Sequence, residues 1–154
     1  EAAAFFHVPF LRDVSVEMFE GEKHRLDGIV RKRVRHVITE NDRTLQAVEA
    51  MKNNDAERLG ELMCASHGSL RDDFQVSKDA LNEIVECAVE FHDCSGGRMT
   101  GAGFGGCGVA LVRQEAAEEF TREIKICFKK KTGVDPFVYV CAAFDGVETL
   151  HVGS

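Results

Sequence analysis

The chain has 154 residues, 44% of them apolar and 29% charged, the composition of an ordinary globular domain, which excludes disordered, fibrous and disulfide-rich classes. Its formal charge of -7 argues against nucleic acid or an anionic membrane as partner, since both are gripped by clustered Lys and Arg. No apolar run nears the roughly 18 to 20 residues that cross a bilayer, and nothing at the start reads as a secretory signal, so the expected location is cytoplasmic with no membrane partner.

The sequence starts with Glu1 rather than Met, and Ala2, Ala3, Ala4 and Phe5 follow in helix-like fashion. The expectation is that residues 1–154 are one domain cut from a longer protein. Pro9 breaks that first element. Ser15 then offers an N-cap for a short helix holding Val16, Met18 and Phe19 and ending at Gly21. A long amphipathic helix is predicted next: Leu26, Val30, Val34, Val37, Leu45 and Val48 recur at spacings of three, four or their sums, up to Asn53 and Asn54. Asp55 caps a second helix carrying Leu59, Leu62, Met63 and Leu70 and running into Arg71, Asp72, Asp73 and Phe74. Ser77 is the expected cap of a third, with Leu81, Ile84, Val85 and Ala88 on one stripe.

From His92 the texture changes. Turn formers at Asp93, Ser95, Gly96 and Gly97 precede a short extended piece, Arg98, Met99 and Thr100, and a glycine cluster follows. Residues 107–112 form a continuous apolar run, read as a buried strand. Residues 115–131 are helical in pattern, and residues 137–141 read as a further strand. The predicted fold class is α+β: helices packed on one face of a small, mostly antiparallel sheet.

Six cysteines, Cys64, Cys87, Cys94, Cys107, Cys127 and Cys141, include no C-x-x-C pair. Their mostly apolar surroundings predict reduced core thiols and no metal site. The basic runs at Arg31, Lys32, Arg33 and Arg35 and at Lys129, Lys130 and Lys131 sit in helical patterns and read as solvated helix faces.

The densest chemical signal is the glycine cluster. Gly101, Gly103, Gly105, Gly106 and Gly108 lie close together, which is costly to order unless the backbone needs positive φ or close approach to something. A loop free of Cβ atoms can turn consecutive N–H groups toward an anion, as phosphate cradles do. A tight hairpin turn satisfies the same spacing, and on spacing alone both readings stand. Gly101, Gly103 and Gly106 match G-x-G-x-x-G, but a dinucleotide fold needs a helix at the third glycine, and an apolar strand-like run follows instead.

The run from Arg98 through Met99, Thr100, Gly101, Ala102, Gly103, Phe104, Gly105 and Gly106 to Cys107 resembles the third signature motif of the galactokinase branch of the GHMP kinases. Residues 35–44 and 66–77 resemble two further blocks of that branch, in family order. The resemblance implies a ferredoxin-like C-terminal domain of a two-domain enzyme that phosphorylates the anomeric hydroxyl of galactose with ATP and Mg²⁺. It implies a phosphate- and sugar-side role for Gly101, Ala102, Gly103, Phe104, Gly105 and Gly106, with ATP, galactose and the amino-terminal domain as partners. The family's other two motifs, its base Asp and the nearby Arg have no counterpart here, so no catalytic residue is expected in this chain. A non-catalytic sugar sensor on the same scaffold, another GHMP sugar kinase and a separate interaction module are the rival readings.

Other reactive-looking residues receive structural readings. Asp72 and Asp73 are adjacent and point apart on a helix, so they read as a charged helix end rather than an acid/base pair. His67 beside Ser66 reads as a surface or core histidine. His92, Asp93 and Cys94 are too few for a metal. Phe104 is expected either to face substrate or to anchor the loop as a buried aromatic.

Overall fold

The computed structural model describes residues 2–104 and 106–142. In chain order it contains α1 (Ala2–Phe5), α2 (Val16–Glu22), α3 (Gly28–Lys52), α4 (Ala56–Ser69), α5 (Asp79–Val89), β1 (Cys94–Thr100), β2 (Cys107–Val112) and α6 (Ala117–Thr132). A π-helical turn, Leu70–Phe74, follows α4 and ends at Gln75 in the left-handed region.

The helix starts follow from their caps. Ser15 Oγ accepts from Met18 N–H at 3.2 Å, Asp27 Oδ1 from Ile29 N–H at 3.0 Å, and Asp55 Oδ1 from Arg58 N–H at 2.9 Å, each satisfying a donor that the first turn leaves free. α2 continues through Gly21 to Glu22. α5 departs from expectation: Lys78 occupies its cap position with no side-chain cap. Ser77 Oγ instead donates to Asn82 Oδ1 at 2.7 Å.

The core has three parts. Phe6, Val14, Phe19, Leu26, Val34 and Ile38 join the amino-terminal turns to the first half of α3. Ala88, Phe120, Ile124 and Phe128 join α5 to α6 beneath the strands. Leu70, Leu81 and Met99 pack beside them with Val76.

β1 and β2 form an antiparallel ribbon, with Met99 opposite Gly108 and Thr100 opposite Cys107, and a bulge between Cys94 and Gly96. α5 packs on this ribbon, placing Val85 against Gly97 and Gly108. α4 runs so close to β1 that a Cβ on Gly60 would lie 1.9 Å from Ser95 O, and one on Gly96 would lie 2.1 Å from Gly60 O. Glycine at both positions is what permits the approach. The α+β class, helices against a small antiparallel sheet, is therefore the one observed.

Three expectations need correction. Residues 107–112 do form a strand, but not a buried one: Cys107, Gly108 and Val109 are exposed and Ala110, Leu111 and Val112 half-buried, because only one side of the two-stranded ribbon is covered by α5. Residues 137–141 form no strand: residues 134–142 carry no regular structure, Phe137 and Tyr139 are 90% and 82% exposed, and only Val138 packs on the α5–α6 cluster. β propensity reports a fit to a pleated, half-buried surface rather than a backbone preference, and neither described strand offers this segment a ladder. Nor are the cysteines all reduced core thiols. Cys87 and Cys127 are disulfide-bonded between α5 and α6, with Cα atoms 5.9 Å apart, while Cys64, Cys107 and Cys141 are exposed. The pair was hidden because it joins positions 40 residues apart on two helices that meet only in the fold.

Candidate functional site

Residues 101–104 and 106 link β1 to β2 at one end of the ribbon; Gly105 lies outside the described residues. Gly101, Gly103 and Phe104 all have positive φ, at 77°, 81° and 56°. For Phe104 this is a costly conformation that only surrounding structure can hold. What holds it is the α4–α5 connection: Phe104 N–H donates to Val76 O at 3.0 Å, and Gly106 N–H closes onto Gly103 O at 3.2 Å. A Cβ on Gly103 would meet Val76 O at 2.4 Å, so this glycine is required by space as well as by φ.

The loop is open to solvent. Gly101, Ala102, Phe104 and Gly106 are exposed, and the Phe104 ring, at 62% exposure, is not the buried anchor that was one of the two expectations for it. Among the described residues, the N–H groups of Ala102 and Gly103 find no acceptor. A turn with left-handed residues can aim successive N–H groups at an anion.

The three sequence blocks meet at Glu40. Glu40 of α3 accepts from Ser66 Oγ of α4 at 2.5 Å, from Arg98 Nη1 of β1 at 3.2 Å and from Arg43 Nε at 2.9 Å. Burial pushes the Glu40 carboxyl up, but the hydrogen bonds from Ser66 and Arg43 and the charges of Arg43 and Arg98 outweigh it and hold the group below its ordinary value. One turn earlier, His36 Nδ1 lies 2.9 Å from Ser69 Oγ, its ring stacked on Phe74. Burial lowers its pKa. His67 is buried, and its Nδ1 accepts the Met99 N–H at 3.2 Å.

The adjacent aspartates have separate structural roles. Asp72 is exposed and paired with Arg71 at 2.8 Å, which lowers its pKa. Asp73 is buried and takes a two-pronged contact from Arg35, with Nε to Oδ2 at 2.8 Å and Nη2 to Oδ1, while Arg33 reaches its carbonyl. Two members of the first basic run thus brace the π-helical turn rather than face a polyanion. In the second run, Lys131 pairs with Glu83 and Glu86 of α5, each at 3.2 Å.

Sequence reasoning located the loop and the three blocks but not the contacts between them. Glu40, Ser66 and Arg98 lie one in each block, on three elements far apart in the chain, and no local pattern says that these side chains meet. The one available signal was Gly60, an isolated glycine inside a helical pattern, which often marks a close packing contact.

The sequence model of the family described as GHMP kinases C terminal matches residues 47–130, from the end of α3 through α6. Galactokinase of Mannheimia succiniciproducens is 49% identical over 95% of this chain and 39% of its own length. Galactokinase of Haemophilus influenzae is 49% identical over 97% of this chain and 40% of its own. The chain therefore spans about two fifths of the length of these curated relatives. The crystal structure of Lactococcus lactis galactokinase complexed with galactose superposes with a TM-score of 0.80 at 35% identity, over 83% of this chain and 33% of that one. With the family matched over more than half of its residues, and with the glycine turn and the three blocks supporting it as described, this chain belongs to the GHMP kinases as a C-terminal domain.

Proposed function

We propose that the chain is the carboxy-terminal part of a cytoplasmic galactokinase, an enzyme that moves the γ-phosphoryl group of ATP to the anomeric hydroxyl of galactose. The observation that carries this reading is the exposed turn at residues 101–104 and 106, with Gly101, Gly103 and Phe104 in left-handed conformations and the Ala102 and Gly103 N–H groups without an acceptor among the described residues, in a chain whose relatives bear that name. Phosphoryl transfer depends on positioning and on stabilising charge spread over the transferred group. A turn of fixed main-chain dipoles serves both ends.

In this reading the amino-terminal domain, ATP and galactose are the partners, and the base and the main nucleotide loop come from that other domain. Among the described residues, no three His, Cys, Asp or Glu side chains gather as a metal-holding group. In this reading Mg²⁺ accompanies the nucleotide phosphates and is held mainly by the amino-terminal domain.

The test is ADP release by the purified intact protein with galactose, glucose, homoserine or mevalonate as acceptor, beside calorimetry with galactose. Preferred turnover of galactose supports the proposal. Galactose binding without turnover identifies a sensor instead, and preference for another acceptor overturns the substrate.

A further inference from the structure

On the edge of β1 away from β2, Met99 N–H donates to His67 Nδ1. An imidazole that accepts at Nδ1 carries its proton on Nε2. That Nε2–H is buried and has no hydrogen-bond partner among the described residues. An orphaned buried donor is destabilising, and a leucine here would avoid it. The bond made by the other nitrogen is a specific reason for a histidine at this position.

That bond lies on the path to the loop. Met99, 1% exposed, places its Cε 3.0 Å from where a Cβ on Gly103 would sit, and Val76, which packs with Met99, holds Phe104 N–H. Fixing Met99 from the His67 side therefore fixes the strand end from which the turn departs. Burial, and then the charges of Arg71 and Arg98, lower the His67 pKa, against weaker opposing effects of the Asn82 side chain, which lies near enough to bond the ring, and of the Asp72 charge. The acceptor form is the one that prevails at neutral pH.

We infer that His67 is a positioning residue for the glycine turn: its neutral imidazole holds β1 at Met99 and so sets where residues 101–104 stand when nucleotide phosphates approach. This rests on the kinase reading for its catalytic consequence, though not for its structural part.

The test compares His67→Asn, whose Oδ1 can stand where Nδ1 stood, with His67→Leu, which has no acceptor, and His67→Gln, whose amide lies one bond further out. All are made in the intact protein. Hydrogen exchange over residues 99–108 should quicken about tenfold or more in the Leu and Gln variants and stay near wild type in the Asn variant. With galactose, kcat should fall roughly tenfold in Leu and Gln, with KM within about twofold and recovery in Asn. Nitrogen-15 shifts of His67 should report the Nε2–H tautomer. Should Leu fail to fold, the Asn and Gln pair carries the comparison. Equal exchange in all variants, equal impairment of Asn and Gln, or an Nδ1–H tautomer overturns the inference. Absence of galactose turnover in the unaltered protein overturns the galactokinase reading instead, and exchange still decides the clamp.

Discussion

Arg98 of β1 reaches Glu40 of α3 across 58 positions of sequence, Nη1 to Oε1 at 3.2 Å, and so ties the strand that feeds the glycine turn to the longest helix of the domain. Ser66 and Arg43 share the same carboxylate, so three groups depend on one side chain that is 23% exposed.

Replacing Glu40 with Gln keeps the shape and one acceptor but leaves two partly buried guanidinium groups without their counter-charge. The expected loss is about 1–3 kcal/mol, less than for a fully buried pair because water reaches the site. Urea denaturation of the intact protein measures it. A double-mutant cycle with Arg98→Met should show coupling of about 0.5 kcal/mol or more, and additivity would mean that the two side chains do not interact.

Acid should weaken the fold in two stages. Burial holds His36 and His67 below the ordinary histidine value of 6.5, so between the folded and unfolded pKa values the unfolded chain binds more protons and stability rises with pH. Their contribution is complete above about pH 6.5 and is lost as pH falls through the lower folded values. Glu40, held below 4.5, adds a second loss at more acid pH. Urea midpoints between pH 8 and pH 3 should fall in that order; a gain in stability between pH 7 and pH 5 would contradict the assignment.

What the sequence made legible was local. Ser15 and Asp55 cap where expected because a cap needs only its own first turn, and the α3 pattern was readable because a helix repeats within a few residues. Residues 137–141 mark the limit: their composition is that of a strand, yet a strand exists only with a partner, and pairing is not written in the segment. The same holds for the site. The glycine turn was visible as composition, whereas Glu40, Ser66, His67 and Arg98 act through contacts that α4 and β1 create by meeting at Gly60 and Gly96.

The bond between Cys87 and Cys127 makes a covalent prediction. Closing 40 residues reduces the entropy of the unfolded chain by an amount worth about 3–4 kcal/mol in the loop-closure picture. Under denaturing, non-reducing conditions, Cys64, Cys94, Cys107 and Cys141 should alkylate, with Cys87 and Cys127 joining them after reduction. Thiol reduction should lower the melting temperature, and Cys87→Ser should make the protein insensitive to it. Labelling of all six cysteines without reductant would show that the bond is not formed in solution.

Gly60→Ala tests the α4–β1 approach directly. The new Cβ would sit 1.9 Å from Ser95 O, backbone that cannot yield as a side chain tip can, so the helix and strand must part. The expected cost is about 1–3 kcal/mol or more, against a small helix-propensity gain of about 1 kcal/mol. Gly68→Ala is the control in the same helix, because nothing lies within 4 Å of its Cβ direction; it should be neutral or stabilising. Equal effects at the two positions would show that backbone propensity, rather than close approach, governs both.

The turn itself separates strain from contact. Gly101 and Gly103 have nearly the same φ, 77° and 81°, yet a Cβ on Gly101 meets nothing within 4 Å while one on Gly103 meets Val76 O at 2.4 Å. Gly101→Ala should therefore cost only the left-handed penalty of about 1–2 kcal/mol. Gly103→Ala carries that penalty too, and also pushes Val76 away from the Phe104 N–H it accepts, so the turn loses its anchor. If residues 101–104 set the place of a phosphate, Gly103→Ala should lower kcat/KM for ATP about tenfold further than Gly101→Ala, since small misplacements near a reacting group are expensive. Phe104→Gly completes the series: it relieves the positive φ of 56° while leaving the Val76 bond possible. Steady-state rates of the three variants, read beside their melting temperatures, distinguish a turn that must be held in one place from one that only closes a hairpin. In the second case the rates track stability alone.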